Sequence, residues 1–403
     1  MRVLCVSSLF PPNVIGGAER SAYNLINWLK TQGHDCAVLT TAKDEADVSD
    51  GAADEKGIKI WRVLMPRAYP MTEFLNTPQW KKPLWHAQDH FDPRNARIMA
   101  RVLDAFAPDF VNIHMLQGVG YNALAEIARR DIPVCYVLPD LGLACIRMNM
   151  FKGGADCTGH CTTCQLSTRY KLAKLRGLRR LGFCSPSRAI LDKLADYIPV
   201  QQYPHTSILN ANKYPQPNRQ RRPGSEFRFV YVGRLHASKG IDVLLAAASR
   251  LAPDHDISVT VVGGGPSEDA LREQFGHYPW CHFTGNVPQS EVANLIGDSD
   301  VLCIPSIWLE NSPGVVIHAL GLGVPVIGSD KGGIPELVTH EGNGLLVTPG
   351  DVDAWTAAMA RVLTDPALLS RLRAQAANQA ADFDQDSIGH KIVDFMGVIA
   401  ASG

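Results

Sequence analysis

One carboxylate, two cations and a set of glycine-rich turns carry the chemistry this chain can do. Glu310 lies in a polar loop just after the apolar run 301–304. Behind it, Ser312 reads as a helix N-cap and Pro313 as the first helical residue, where a missing N–H costs nothing. Gly314 and Val315 then open a helix to about Leu322, ahead of a second apolar run at 324–327. The free N–H groups and partial positive charge of such a helix start suit a phosphate. Glu310, with Asn311 and Ser312 beside it, is placed to bind a sugar hydroxyl, so the segment points to an enzyme of nucleotide-linked sugars. Arg234 follows Gly233 at the end of the run 227–232, and Lys239 opens the next helix. Two cations at a strand's carboxyl end suit a diphosphate leaving group. Singly, each has an ordinary reading as a turn arginine or a solvated lysine.

These residues need a frame that sets strand ends side by side, and the pattern supplies one. Strands are expected at 3–7, 36–40, 58–63, 110–114, 134–138 and 182–184 in the first half, and at 227–232, 258–262, 301–304, 324–327 and 344–347 in the second. Between them, Ala22, Leu25, Ile26 and Leu29 mark one buried helical face. Residues 43–57 and 66–95 lack a clear period and read as loops or insertions. The stretch 214–225, with three prolines and three arginines, reads as a linker. The expected class is α/β, with two Rossmann-like domains facing each other across a cleft. The boundaries are 1–212, a linker at 213–225, a donor-binding domain at 226–384, and a last helix at 385–403 returning to the first domain. Gly16 and Gly17 at the first strand exit, and Gly264 within Val262-Gly-Gly-Gly-Pro266, would let a ligand approach the backbone.

Composition removes several classes. The 403 residues carry a formal charge of −1, so no overall field draws nucleic acid. No run of 18 apolar residues is present, and the opening MRVLCVSSLF has no signal-peptide pattern. A cytoplasmic protein is expected, peripheral on the membrane's inner face if it binds lipid.

Gly16-Gly-Ala-Glu-Arg20, Gly233-Arg-Leu with Lys239-Gly240, Val262-Gly-Gly-Gly-Pro266, Phe283-Thr-Gly285, Glu310-Asn-Ser-Pro313 and Gly332-Gly-Ile-Pro-Glu336 together resemble the retaining glycosyltransferases of family four, of GT-B fold, over nearly the whole chain. The resemblance implies transfer of a sugar from a UDP- or GDP-sugar to a polysaccharide, lipid-linked or other glycan acceptor, as in cell-envelope glycan synthesis, with no metal for catalysis. It implies that Arg234, Lys239 and the N–H groups near Gly314 and Val315 hold the diphosphate, that Glu310 holds the donor sugar, and that His114 faces that sugar. Two positions depart from the pattern. His318 stands where the family has a second glutamate for the ribose, and Pro139-Asp140 replaces a His-Asp pair, leaving Asp140 on the acceptor side. A non-catalytic nucleotide-sugar binder and an epimerase of the same fold are the alternatives. Product formation separates off the first, and acceptor-dependent release of nucleoside diphosphate the second.

Two further clusters carry expectations. Cys145, Cys157, Cys161 and Cys164 form a Gly-rich insertion at 145–164 closing with C-x-x-C. Four thiols suit a structural Zn²⁺, with His160 as a substitute ligand and an iron–sulfur cluster or free thiols as alternatives. Residues 169–180 hold six cations and no acid, interleaved with Tyr170, Leu172, Leu175, Leu178 and the adjoining Leu181. That pattern predicts a helix lying on an anionic membrane surface, against the ordinary reading of a solvated helix with a core face.

Overall fold

The computed structural model describes residues 1–74, 77–219 and 224–402. Residues 220–223 of the expected linker lie outside the described residues. The chain forms two compact units. One comprises Met1–Met148, Gly159–Asn212 and Gln385–Gly403, the other Asn149–Thr158 and Lys213–Asp384.

The first unit is built on eight strands: β1 (Arg2–Val6), β2 (Asp35–Thr41), β3 (Ser49–Ala53), β4 (Lys59–Val63), β5 (Phe110–Ile113), β6 (Val134–Val137) and, after a small hairpin of β7 (Phe151–Lys152) and β8 (Ala155–Asp156), β9 (Leu181–Ser185) and β10 (His205–Ser207). Their order is β10-β9-β6-β5-β1-β2-β4-β3. Every pairing is parallel except β3–β4. The central strands β1, β5 and β6 read as nearly unbroken apolar runs because both faces of a parallel sheet are covered. One cover is the helix Gly17–Thr31, whose Ala22, Leu25, Ile26 and Leu29 join Ile388, Ile392, Met396 and Ile399 of the helix Gln385–Ala401 in a single core. The Trp28 indole donates to Asp386 Oδ1 at 2.6 Å and ties the two helices together.

Two stretches expected to be loops contain regular structure. β3, of sequence SDGAA, has no apolar alternation and exists through its antiparallel pairing at the sheet edge. The helix Lys82–Phe91 buries Trp85 against Leu9, Met71 and Phe74. The hairpin 149–158 groups with the second unit rather than staying with the rest of the insertion 145–164. There, Asp156 Oδ2 meets Lys331 Nζ at 2.7 Å.

The second unit is a six-stranded parallel sheet of β11 (Phe227–Val232), β12 (Ile257–Val262), β13 (Cys281–Gly285), β14 (Val301–Ile304), β15 (Val326–Ser329) and β16 (Gly344–Val347), in the order β13-β12-β11-β14-β15-β16. Its core joins Phe229, Val259 and Cys303 to Leu244 and Ala248 of the helix Ile241–Leu251 and to Trp355 and Met359 of the helix Val352–Thr364. Strand order reverses between β11 and β14. In an open α/β sheet, ligands bind outside the carboxyl ends of the strands at such a reversal.

Candidate active site

The exits of β11 and β12 are laced together. Gly233 N–H donates to the Val262 carbonyl (3.0 Å), Leu235 N–H to the Gly264 carbonyl (2.9 Å) and Ser267 N–H to the Leu235 carbonyl (3.0 Å). Gly263 makes the lacing sterically possible. It has φ +125°, and a Cβ there would stand 2.0 Å from the Gly233 carbonyl oxygen. The Tyr231 hydroxyl donates to the Arg234 carbonyl at 3.0 Å. The backbone of Arg234 is thus fixed while its side chain is exposed, and among the described residues its guanidinium pairs with no carboxylate. A cation anchored this way is available to a diphosphate.

Lys239 and Glu310 meet between the exits of β11 and β14. Lys239 Nζ lies 2.5 Å from Glu310 Oε1, and Ser306 Oγ donates to the same oxygen at 2.5 Å. The ammonium also sits 4.7 Å from the centre of the Trp308 ring. Glu310 is 7% exposed. Burial pushes its carboxyl up, but the Lys239 charge and the hydrogen bonds from Lys239 and Ser306 outweigh it and hold the group below the usual glutamate value. The site therefore keeps a buried, ionised carboxylate at neutral pH. Three loops fix it. Ile307 N–H donates to the Ser238 carbonyl (2.9 Å), Gly333 N–H to the Glu310 carbonyl (2.9 Å), and Lys331 Nζ to the Ile307 carbonyl (2.6 Å). Gly332, at φ +64°, is required there, since a Cβ would come within 2.4 Å of the Glu310 carbonyl oxygen.

The helix after Glu310 runs Gly314–Gly321 and its cap is Pro313, with ψ 108°, not Ser312. Val316 N–H donates to the Pro313 carbonyl at 2.9 Å, and the N–H groups of Gly314 and Val315 lie before it at the helix start. The Ser312 hydroxyl is buried and has no partner among the described residues. His318 is buried in the body of this helix. Its Nε2 lies 2.8 Å from the Pro215 carbonyl and its ring stacks on Tyr214 at 5.1 Å. Burial lowers its pKa, against the carbonyl's opposing pull, so the imidazole is neutral and donates one hydrogen bond to the segment that precedes β11.

The first-unit residues fall into two places. Gly16 caps the helix Gly17–Thr31, its N–H donating to Glu19 Oε2 at 2.9 Å, and Gly17 is exposed. His114 and Asp140 line a cavity of about 40 Å³ with His86, Asp89, His90 and Lys171. Burial pushes the Asp140 carboxyl up to about 6, although the Gly142 N–H and the Lys171 charge pull it down. Burial lowers His114 to about 4.

Two expectations are corrected or left unsupported by this arrangement. The helix of the basic segment is Thr162–Leu175, and its exposed leucine is Leu166, outside the expected 169–180. Leu175, Leu178 and Leu181 are buried in the protein, Lys171 is 5% exposed, and Arg179 and Arg180 pair with Asp131. The leucine spacing reflects a core face. Among the described residues, no three His, Cys, Asp or Glu side chains are grouped to hold a metal. Cys161 is exposed at the start of the helix, with Cys164 buried one turn on, while Cys157 belongs to the hairpin grouped with the other unit.

Sequence reasoning passed over Ser306, Trp308 and Lys331 around Glu310, and Asp89 and Lys171 in the first-unit cavity. Lys331 adjoins the Gly332-Gly333 pair, which was a usable signal. Ser306 lies in the Glu310 loop itself, four residues before it. For Lys171 there was no signal, because the fold brings it to its site.

A six-stranded parallel sheet with a carboxylate, two cations and a helix start at its reversal point is one half of a two-unit α/β chain of GT-B fold. Comparison with known proteins specifies the class. Residues 213–380 match the model for glycosyl transferases group 1, and residues 16–157 match the glycosyl transferase 4-like domain. The chain belongs to the family-four glycosyltransferases. It is 28% identical to the glycogen synthase of Mycobacterium tuberculosis over 96% of this chain and 92% of that protein. It is 23% identical to the phosphatidyl-myo-inositol mannosyltransferase of Mycolicibacterium smegmatis, over 97% and 92%. Among solved structures, the sucrose-phosphate synthase of Thermosynechococcus elongatus superposes with a TM-score of 0.79 at 19% identity, covering all of both chains. Anabaena HepE in complex with UDP-glucose gives 0.68 at 17%, over 99% of this chain and 100% of that one.

Proposed function

We propose that this protein is a retaining, metal-independent glycosyltransferase that moves a sugar from a UDP- or GDP-sugar to a glycan or lipid-linked acceptor. The observation that carries the reading is the buried Lys239–Glu310 pair beside the Gly314–Gly321 helix start, at the strand reversal of a glycosyltransferase-family domain. Arg234, Lys239 and the N–H groups of Gly314 and Val315 take the charge that develops on the leaving diphosphate. Glu310 accepts hydrogen bonds from the donor sugar. The acceptor hydroxyl attacks the anomeric carbon from the leaving-group side as the bond to the diphosphate breaks, and the departing phosphate oxygen takes the hydroxyl proton. Fixed cations do the work a divalent ion would otherwise do.

No described helix is long and apolar enough to cross a membrane. Contact with an anionic bilayer surface is proposed only through exposed cations such as Arg169 and Arg176.

The test is incubation with UDP- and GDP-sugars, with and without a glycan acceptor mixture. Nucleoside diphosphate should appear only with acceptor, EDTA should leave the rate unchanged, and NMR of the product should show the donor's anomeric configuration. Donor affinity without product would make the protein a binder. An inverted anomer would end the retaining assignment.

A further inference from the structure

Lysine is almost never fully buried unless paired. Lys171 is 5% exposed on the helix Thr162–Leu175 and lines the first-unit cavity. Its ammonium donates to the Gly142 carbonyl at 2.6 Å. Among the described residues, no carboxylate lies within 4.0 Å of it, so two of its three donors have no assigned acceptor. The same cavity holds a second uncommitted group, the His114 Nε2, which is buried and without a partner. Asp140 gives an acceptor: its Oδ1 takes the Gly142 N–H at 2.6 Å, leaving its other oxygen. Gln117 Oε1, also in the lining, is a further buried acceptor without a partner among the described residues. Asp89 and His90 are already engaged. Asp89 Oδ1 is held by Arg67 (3.1 Å) and the Gly118 N–H (2.9 Å). His90 lies between the His86 carbonyl and Ser167 Oγ, at 2.9 and 3.0 Å.

Charge and size narrow what such a cavity takes. Asp89 is balanced by Arg67, Asp140 stands against Lys171, and the histidines are held neutral by burial. The lining is therefore close to neutral and presents both donors and acceptors. An anion would face Asp140 without a free excess of positive charge, and a cation would face Lys171. A volume of about 40 Å³ exceeds what a single water needs and is far short of a drug-sized ligand pocket. A hydroxyl or hydroxymethyl edge fits, and a whole sugar ring does not.

We propose that Lys171 is a specificity-determining residue of the acceptor site, reading a hydroxyl-bearing edge of an uncharged acceptor sugar together with His114 and Asp140. The inference rests on the transferase reading above; it moves the middle of the basic segment from a surface role to a binding role, and His114 from the donor sugar to the acceptor.

Saturation-transfer NMR on the full chain tests it, with methyl α-D-glucopyranoside, methyl α-D-mannopyranoside and methyl α-D-galactopyranoside as neutral probes and methyl α-D-glucuronide as the charged one. At least one neutral glycoside should bind in preference to the glucuronide. Lys171→Met should weaken that binding about tenfold or more, the worth of a hydrogen bond from a charged donor. Lys171→Gln, which keeps an N–H donor, should restore part of it and so separate recognition from a loss of folding. The stabilisation of each variant by UDP and GDP, measured by thermal shift, should match that of the unmodified protein. Preference for the glucuronide, equal glycoside binding by Lys171→Met, or binding of no probe would overturn the proposal. Failure of both nucleotides to stabilise the unmodified protein would instead count against the transferase reading, independently of the glycoside result.

Discussion

Replacing Lys239 with alanine removes the cation paired with the buried Glu310 carboxylate, and its cost can be worked from that geometry. Glu310 has a side chain 10% exposed, and its partner is 21% exposed. Breaking a buried pair by removing one member costs about 3–5 kcal/mol. An upper limit comes from titration, since the orphaned carboxyl can always escape by taking a proton. For a group of ordinary pKa 4.5, protonation costs about 3.4 kcal/mol at pH 7 and about 0.8 kcal/mol at pH 5. The expected loss in Lys239→Ala is therefore about 3 kcal/mol at pH 7 and about 1 kcal/mol at pH 5. The sign differs between the two proteins. With Lys239 present, the folded carboxyl lies below 4.5, so its contribution is full above that value and is lost only as pH falls through the lower, folded one. Without Lys239, burial dominates and raises the folded value above 4.5. The variant then loses stability as pH rises. Urea unfolding at pH 5 and pH 7, followed by circular dichroism, measures the gap between the two proteins at each pH. In a Glu310→Gln background the pH dependence of the Lys239 effect should vanish. A gap that is the same at both pH values, or one whose pH dependence persists unchanged in the Glu310→Gln background, would refute the claim that Lys239 keeps Glu310 ionised.

Arg234→Ala should cut turnover by about a hundredfold while leaving unfolding within about 0.5 kcal/mol, because the side chain is exposed and stabilises charge only as the diphosphate leaves. His318→Phe should keep the stacking on Tyr214 but strand the Pro215 carbonyl, costing about 1–3 kcal/mol by urea unfolding; titration with UDP and GDP then shows whether the imidazole also meets the ribose, since a contact there would weaken binding as well. Flotation with anionic vesicles should be abolished by high salt, as expected of exposed cations without a leucine stripe, and binding equal on neutral vesicles would contradict this. Elemental analysis of protein purified without added metal tests the zinc expectation: one Zn²⁺ per chain is expected of a structural site, and four titratable thiols at Cys145, Cys157, Cys161 and Cys164 without zinc would end it.

The class of fold and the second unit's strand-exit loops were legible in the sequence because their determinants are local. A buried parallel strand is an apolar run, its exit is marked by glycines, and the helix that follows begins at a proline or a polar residue within a few positions. Arg234, Lys239 and Glu310 could be singled out for that reason, the two cations after β11 and the carboxylate after β14. What surrounds them is not local. Ser306 joins Lys239 on the same oxygen of Glu310, and that convergence depends on β11 and β14 being neighbours although about 70 residues separate them. The bond from His318 to the Pro215 carbonyl spans 103 residues, and nothing near either residue announces it. The segment 169–180 shows the limit most clearly. Leucines spaced among cations look the same whether the apolar face meets a membrane or a protein core, because periodicity records that a face is buried but not by what. Only packing decided that Leu175 and Leu178 enter the core and that Lys171 turns into a cavity beside Asp140 and His114.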